Sequence, residues 1–297
     1  MLVDAANLYF RAFYGVPDSV TTSEGGPINA VRGFLDMTAT LIERRRPTRY
    51  VACLDLDWRP AFRVALIPSY KAHRRAADGS EAIPDALVPQ IPALLDVLTA
   101  IGLATGGAEG FEADDVIATL AARDDGPCEI VSSDRDLMAL ADDRVRVLYV
   151  GRGVAKLEDL GPDEVRARYG IPAAHYPDFA VLRGDPSDGL PGIAGIGEKT
   201  AAALVTRFGA IEQIVAAAQA RDGGFPPGAA AKVLAAADYL AAAPAVVRGR
   251  TDAPVPQLAD ELPHQPTDPA ALVQLADRYG IDSSVNRVLN AISRALG

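Results

Sequence analysis

Residues 111–136 read Phe-Glu-Ala-Asp-Asp-Val-Ile-Ala-Thr-Leu-Ala-Ala-Arg-Asp-Asp-Gly-Pro-Cys-Glu-Ile-Val-Ser-Ser-Asp-Arg-Asp, and this stretch decides the fold. Glu112, Asp114 and Asp115 open a helical pattern that runs to about Arg123, where acids in a first turn suit the helix dipole. Glu129-Ile-Val-Ser-Ser-Asp134 then reads as a short apolar strand that ends in Asp134-Arg-Asp136. A helix followed by a strand is half of the repeating unit of an α/β sheet.

Working outward, the same unit recurs. Met1-Leu-Val-Asp4 reads as the end of a strand, short enough to look truncated. Tyr50-Val-Ala-Cys-Leu-Asp55 and Arg144-Val-Arg-Val-Leu-Tyr-Val150 are further strands. Ile28, Val31, Phe34, Leu35, Thr38, Leu41 and Ile42 give residues 27–46 a helical period, and Val88 to Leu103 form another helix. After about residue 158 the strand signals stop. Helical segments follow at 162–169, 173–183, 198–208, 211–220, 228–242 and 269–296, with a proline-rich connector from Pro254 to Pro269. The pattern predicts an α/β fold: a mainly parallel central sheet flanked by helices over 1–158, then a helical region over 159–297.

Strands of a parallel sheet bring their carboxyl ends to one edge, where ligands bind. Asp4, Asp55, Glu112, Asp114, Asp115, Asp134 and Asp136 fall at or near such ends, and Asp185 and Asp188 follow. Each acid alone is better read as a cap or a polar strand end. As an ordered set they point to a metal site, because gathered carboxylates repel one another unless hard cations neutralise them. Mg²⁺ and Mn²⁺ prefer oxygen ligands, and two ions about 4 Å apart can activate a water and stabilise a leaving oxygen. His73, His175 and His264 are the only histidines, which argues against a zinc site or a histidine base.

Two further stretches carry chemistry. Gly184-Asp-Pro-Ser-Asp188-Gly-Leu-Pro-Gly192-Ile-Ala-Gly195-Ile-Gly197-Glu-Lys199-Thr200 reads as a glycine hairpin between helices. Exposed amides at such a turn and at a helix N-terminus bind phosphate without reading bases. Its spacing is not that of a Walker loop. Phe62-Arg63 and Pro68-Ser-Tyr70-Lys71-Ala-His73-Arg74-Arg75 form a basic patch with an aromatic residue, in which Lys71 and Arg74 would share a face if helical. Cations there can neutralise a scissile phosphate, and Tyr70 can stack on a base.

Composition sets the outer bounds. The chain has 297 residues, 49% hydrophobic and 23% charged, which is ordinary for a globular protein. Net charge is −10, which argues against a nucleic-acid partner until the nine acids are set aside; they account for all but one unit of it. Cys53 and Cys128 lack metal-binding spacing and read as buried free thiols of a reducing cytosol. No apolar run reaches membrane-spanning length, and a cytoplasmic monomer is expected.

In order and spacing, Leu-Val-Asp4, Asn29-Ala-Val-Arg-Gly33-Phe34, Phe62-Arg63, Tyr70-Lys71, Glu112-Ala-Asp114-Asp115, Ser133-Asp134-Arg-Asp136, Gly184-Asp185-x-x-Asp188 and Gly-Ile-Gly-Glu-Lys-Thr-Ala resemble the 5′-nuclease family. That family takes in the 5′–3′ exonuclease domain of bacterial DNA polymerase I, phage 5′ nucleases and flap endonucleases, and the resemblance covers residues 1 to about 250. It implies a PIN-like metal-dependent nuclease core with a helical arch at about 64–90, and a helix–two-turn–helix motif at about 180–220. It implies two or three Mg²⁺ or Mn²⁺ ions: Asp4, Asp55, Glu112 and Asp114 favouring one, Asp134, Asp136 and Asp185 or Asp188 the other, with Asp115 also in the set. Asp57 competes with Asp55, because the spacing to Phe62-Arg63 is one residue long. Lys71 and Arg74 would be catalytic at the base of the arch. Arg63, Tyr70, Gly195, Gly197, Lys199 and Thr200 would contact DNA, and carbonyls of Ile193 and Ile196 would hold a potassium ion. The expected activity is structure-specific cleavage of DNA 5′ flaps and 5′ ends, leaving a 5′-phosphate and a 3′-hydroxyl. A catalytically silent junction binder and a ribonuclease acting on RNA primer hybrids are the rival readings.

Overall fold

The computed structural model describes all 297 residues. In chain order the elements are β1 (Leu2–Asp4), α1 (Ala5–Gly15), α2 (Asn29–Arg45), β2 (Val51–Cys53), α3 (Ala61–Leu66), α4 (Gln90–Ile101), β3 (Ala104–Gly106), α5 (Ala113–Arg123), β4 (Cys128–Ser132), β5 (Val145–Tyr149), β6 (Glu158–Leu160) and α6 (Pro162–Tyr169). Then come α7 (Tyr176–Arg183), α8 (Glu198–Phe208), α9 (Ile211–Gln219), α10 (Ala229–Ala235), α11 (Ala237–Val247), α12 (Pro269–Tyr279) and α13 (Asp282–Leu296). The six strands lie in the order β3-β2-β1-β4-β5-β6, and only the β5–β6 pairing is antiparallel. The mainly parallel sheet expected from the sequence is therefore present.

The chain winds from β1 out to β2 and β3, then returns to the other side of β1 with β4. The order thus reverses beside β1, and such a switch opens a crevice at the strands' carboxyl ends. Asp4 ends β1, Ser132 ends β4, and Asp55 lies two residues beyond β2.

One core packs α1, α2, α4 and α13 on the sheet, with Phe34, Leu41, Leu98 and Val288 fully buried. A smaller one sets α5 against the other face through Val116 and Ile117. A third fills the helical half around Tyr176, Phe179 and Leu204.

Several expectations change. β3 (Ala-Thr-Gly) and β6 (Glu-Asp-Leu) escaped the sequence reading because, unlike the equally short β1 and β2, neither carries an apolar run. Helix α1 was not foreseen; Asp4 caps it by accepting from Asn7 N at 3.0 Å. The 269–296 segment breaks at Gly280, whose φ of +65° ends α12. Residues 64–90 are not a helical arch. They hold the end of α3, a three-residue 3₁₀ turn at Ala72–Arg74 and a small hairpin bridged between Arg75 and Glu81. Asp78 accepts from both Ser80 N and Ser80 Oγ and closes that hairpin, so the backbone turns rather than coils.

Residues 249–297, assigned on sequence to the helical DNA-binding region, return to the sheet half instead. Tyr50 N donates to Asp260 O and Leu262 N to Thr48 O, and α13 lies along α2. A proline-rich connector does not reveal where the next helix docks. Cys53 is buried and Cys128 half-buried, both as free thiols. No single helix is long and apolar enough to cross a membrane.

Candidate active site

A cleft of about 560 Å³ opens at the carboxyl edge of the sheet, and Asp4, Asp55, Glu112, Asp114 and Asp134 line it. Its scaffold is a set of short polar ties. Asp4 Oδ2 accepts from Ser132 Oγ at 2.7 Å, which joins β1 to β4. Asn7 Oδ1 accepts from Ser133 N and Oγ at 3.0 and 2.8 Å, which joins α1 to the loop after β4. Asp134 accepts from Asp136 N at 2.9 Å; Asp134 lines the cleft, whereas Asp136 lies behind it. Asp55 accepts from Ala113 N at 2.6 Å and seats the start of α5 against β2. Asp57 instead accepts from Arg59 N and does not line the cleft, so the geometry favours Asp55 of the two.

These acids sit in one electrostatic field. Burial, then the charges of Asp55 and Asp134, push Asp4 up to about 7. Burial followed by Asp134 and Asp4 holds Asp114 well above the carboxylate range. Burial followed by Asp134, Asp188 and Asp185 does the same to Asp136. Asp185 and Asp188 thus share the field of the strand-end acids. Their loop is pinned to the basic segment: Lys71 N donates to Asp188 O at 2.9 Å and Ser69 Oγ to Gly189 O at 2.9 Å. Gly189, at φ +71°, passes so close that a Cβ would lie 2.2 Å from Ser69 O.

Lys71 and Arg74 do not share a helix face. Lys71 adopts a left-handed backbone, φ +47°, which delivers its ammonium to Glu112. Burial works against that charge, but Glu112, then Tyr70 and Asp188, outweigh it and keep Lys71 protonated. Arg74 donates to Asp188 at 2.9 Å and to Ser187 O at 2.7 Å.

Three sequence assignments are corrected by a layer beneath the cleft. Arg63 is 2% exposed and meets Asp115 with two bonds of 2.6 and 2.7 Å, Glu112 at 2.7 Å, and Val246 O at 2.8 Å. Asp115 is fully buried and also accepts from Arg250 N and Glu112 N, so its lone pairs are spent within the protein. Neither Arg63 nor Asp115 can reach DNA or an ion. Tyr70 is buried too; its hydroxyl donates to Glu112 at 2.8 Å, leaving no ring face to stack on a base. Neighbours on a helix point about 100° apart, so one of the Asp114-Asp115 pair faces the cleft and the other the core.

The hairpin is built from backbone. Gly184 (φ +82°) and Gly192 (φ +65°) cross so closely that a Cβ on Gly192 would lie 2.5 Å from Gly184 N. Ile193 N donates to Leu182 O and Ile196 N to Ile193 O, while both isoleucine side chains sink into the helical core. Gly195, Gly197 and Lys199 are left exposed and Thr200 half-exposed at the start of α8, whose first amides have no intrahelical partner. Lys232 Nζ reaches over from α10 and donates to Gly195 O at 2.8 Å.

The donor set suits a hard divalent cation: all oxygen, no histidine or cysteine, with Asp4, Glu112, Asp114, Asp136 and Asp188 all driven toward protonation, burial being the largest cause in each. No three of the carboxylates close on one point as they stand. Sequence reasoning missed Asn7 and the cleft-lining Phe10, Arg11, Tyr14 and Glu81. Asp4, Asn7, Arg11 and Tyr14 are spaced three, four and three apart, a single helix face that the sequence did carry.

Comparison with known proteins bears on this geometry. Residues 1–170 match the family model described as 5′-3′ exonuclease, N-terminal resolvase-like domain, and residues 171–270 match 5′-3′ exonuclease, C-terminal SAM fold. A 5′-3′ exonuclease of Mycobacterium tuberculosis (strain ATCC 25618 / H37Rv) is 50% identical, the alignment covering 100% of this chain and 98% of that protein. A 5′-3′ exonuclease of Streptomyces coelicolor (strain ATCC BAA-471 / A3(2) / M145) is also 50% identical, over 99% of this chain and 100% of that one. Among solved structures, a bacteriophage T5 flap endonuclease in a pseudo-enzyme-product complex with DNA and metal ions superposes with a TM-score of 0.64 at 15% identity, covering 99% of this chain and 98% of that chain. At that identity the likeness speaks to fold.

Proposed function

The chain belongs to the 5′-3′ exonuclease family and is an enzyme of the nuclease class, and from that premise we propose that it cuts DNA at 5′ flaps and 5′ ends, acting as a monomer. One observation carries this reading: acids from separate stretches meet at the sheet's switch point, and the loop bearing Asp185 runs directly into the glycine hairpin. Chemistry and grip are thereby held at a fixed offset, which is what a sequence-independent nuclease needs.

Asp4, Asp55, Glu112 and Asp114 on one side, and Asp134, Asp136, Asp185 and Asp188 on the other, would hold two or three Mg²⁺ or Mn²⁺ ions. Those ions would supply Lewis acidity and charge neutralisation. The chain's own groups do the rest. Lys71 and Arg74 lie paired with Glu112 and Asp188 and can turn to the scissile phosphate when it enters. Asn7 and Ser132 hold Asp4 and the Asp134 loop in register. The hairpin amides and the α8 N-terminus bind the duplex backbone. At the hairpin, a potassium ion has a competitor in the Lys232 ammonium.

The test is a 5′-labelled flap with Mg²⁺ or Mn²⁺ and an EDTA control. Metal-dependent cuts at or near the junction, leaving a 5′-phosphate, are expected. Tight flap binding with no cleavage in either metal would overturn the reading in favour of a junction binder.

A further inference from the structure

A glycine turn that aims its amides at a phosphate must aim some carbonyls elsewhere, and those oxygens gather negative potential beside an incoming anion. In this hairpin one such oxygen, Gly195 O, already meets a cation: Lys232 Nζ, 2.8 Å away. We propose that the Lys232 ammonium serves the hairpin as a built-in cation, doing from within the chain what a bound potassium ion would otherwise do. The inference rests on the reading of the hairpin as a grip for the DNA backbone.

Placement and chemistry support it. A Cβ on Gly195 would lie 2.6 Å from Nζ, so the ammonium is packed onto the turn itself. Its position is set by the core, because the next residue, Val233, is fully buried and fixes the rotation of α10. Lysine is scarce in this chain, which otherwise uses arginine: only Lys71, Lys156, Lys199 and Lys232 occur. A compact ammonium suits a single carbonyl oxygen, where a planar guanidinium fork would not. Ile193 O, one of the two carbonyls expected to hold potassium, also accepts from Ile196 N within the turn. A potassium ion sharing Gly195 O with Nζ would stand a few ångströms from a second positive charge and be repelled. Gly195 O is therefore a carbonyl whose cation the chain itself supplies.

Two measurements on the full chain test this, with Lys232→Met as the variant; the site is exposed and methionine keeps the helix. The first is NMR of thallium(I), a stand-in for potassium, without DNA. The wild type should show no bound thallium, and the variant should gain a bound signal. Bound thallium in the wild type, or none in the variant, overturns the proposal. The second is anisotropy of a labelled 5′ flap, both proteins carrying Asp134→Asn so that the DNA is not cut. Affinity is read in potassium chloride and in tetramethylammonium chloride at equal ionic strength. The wild type should bind within about twofold in the two salts, whereas the variant should lose roughly tenfold in tetramethylammonium and recover in potassium. An equal loss in both salts would make Lys232 a plain phosphate contact and overturn the proposal. Failure of both proteins to bind DNA in either salt would reject the grip reading, while the thallium result still decides whether Lys232 fills a cation site.

Discussion

The cleft takes its chemistry from side chains carried by widely separated stretches, whereas the hairpin takes its own from the backbone of one. In the cleft, Asp4, Asp55, Asp114 and Asp134 come from the ends of β1, β2 and β4 and the start of α5. In the hairpin, Gly184 to Gly197 are contiguous, and what matters is the absence of a Cβ. A charge change should therefore silence the first and leave the second working, and a methyl group should do the reverse.

The largest effect should come from Asp134→Asn. It keeps the shape of a residue whose Oδ1 orders Asp136, yet removes a charge felt by Asp4, Asp114 and Asp136. Cleavage should fall on the order of a thousandfold or more, while flap affinity stays within about threefold. Undiminished cleavage would break the division of labour at its catalytic side.

That division also governs how much could be read from the sequence. The hairpin was legible because its constraint is local: glycines at fixed offsets before Lys199 need no knowledge of the rest of the chain. The acids were legible as an ordered set, since strand ends repeat along the chain. Which acids face the cleft was not legible, because Asp114 and Asp115 are adjacent in sequence and only the packing of α5 against Arg63 separates them. Arg63 and Tyr70 read as surface groups of a basic patch, and burial beneath Glu112 made them supports instead. The return of α13 to α2 was illegible for a similar reason: its apolar stripe shows that it docks, not where.

Arg63→Met comes next in size and tests that buried layer. The substitution leaves Asp115 and part of Glu112 without their counter-charge in a dry site. Removing one partner of a buried pair costs about 3–5 kcal/mol, so the urea midpoint should drop sharply. Adding Asp115→Leu should recover part of the loss, which would separate a structural acid from the catalytic ones. A variant as stable as wild type would return Arg63 to the surface role that its sequence suggested.

Gly192→Ala attacks the other region. Its Cβ would meet Gly184 N at 2.5 Å on a left-handed backbone, a strain of about 1–3 kcal/mol. Flap affinity should fall about tenfold or more, with the maximal rate at saturating DNA held within about threefold. If the maximal rate collapsed together with affinity, the hairpin and the Asp185 loop would be one unit rather than two.

The smallest effect is a pH slope of stability, and it belongs to the cleft alone. Asp4 titrates near 7 when folded, against an ordinary value of 3.8. Between those values the folded chain holds a proton that the unfolded chain has released. Stability from this group is thus full below about pH 4 and lost as the pH climbs through 7. In EDTA the wild type should melt lower at pH 8 than at pH 5. Asp4→Asn should flatten that fall by on the order of 1 kcal/mol, about 2–4 °C in Tm; Glu112, Asp114, Asp136 and Asp188 are pushed the same way and keep the remainder. Gly192→Ala should leave the slope as steep as in the wild type, because no titrating group is touched. Mg²⁺ should raise Tm more at pH 8 than at pH 5, since an ion binds carboxylates that have already lost their protons. A slope that Asp4→Asn leaves untouched would place the stored repulsion elsewhere and remove the physical reason for reading these acids as a cation site.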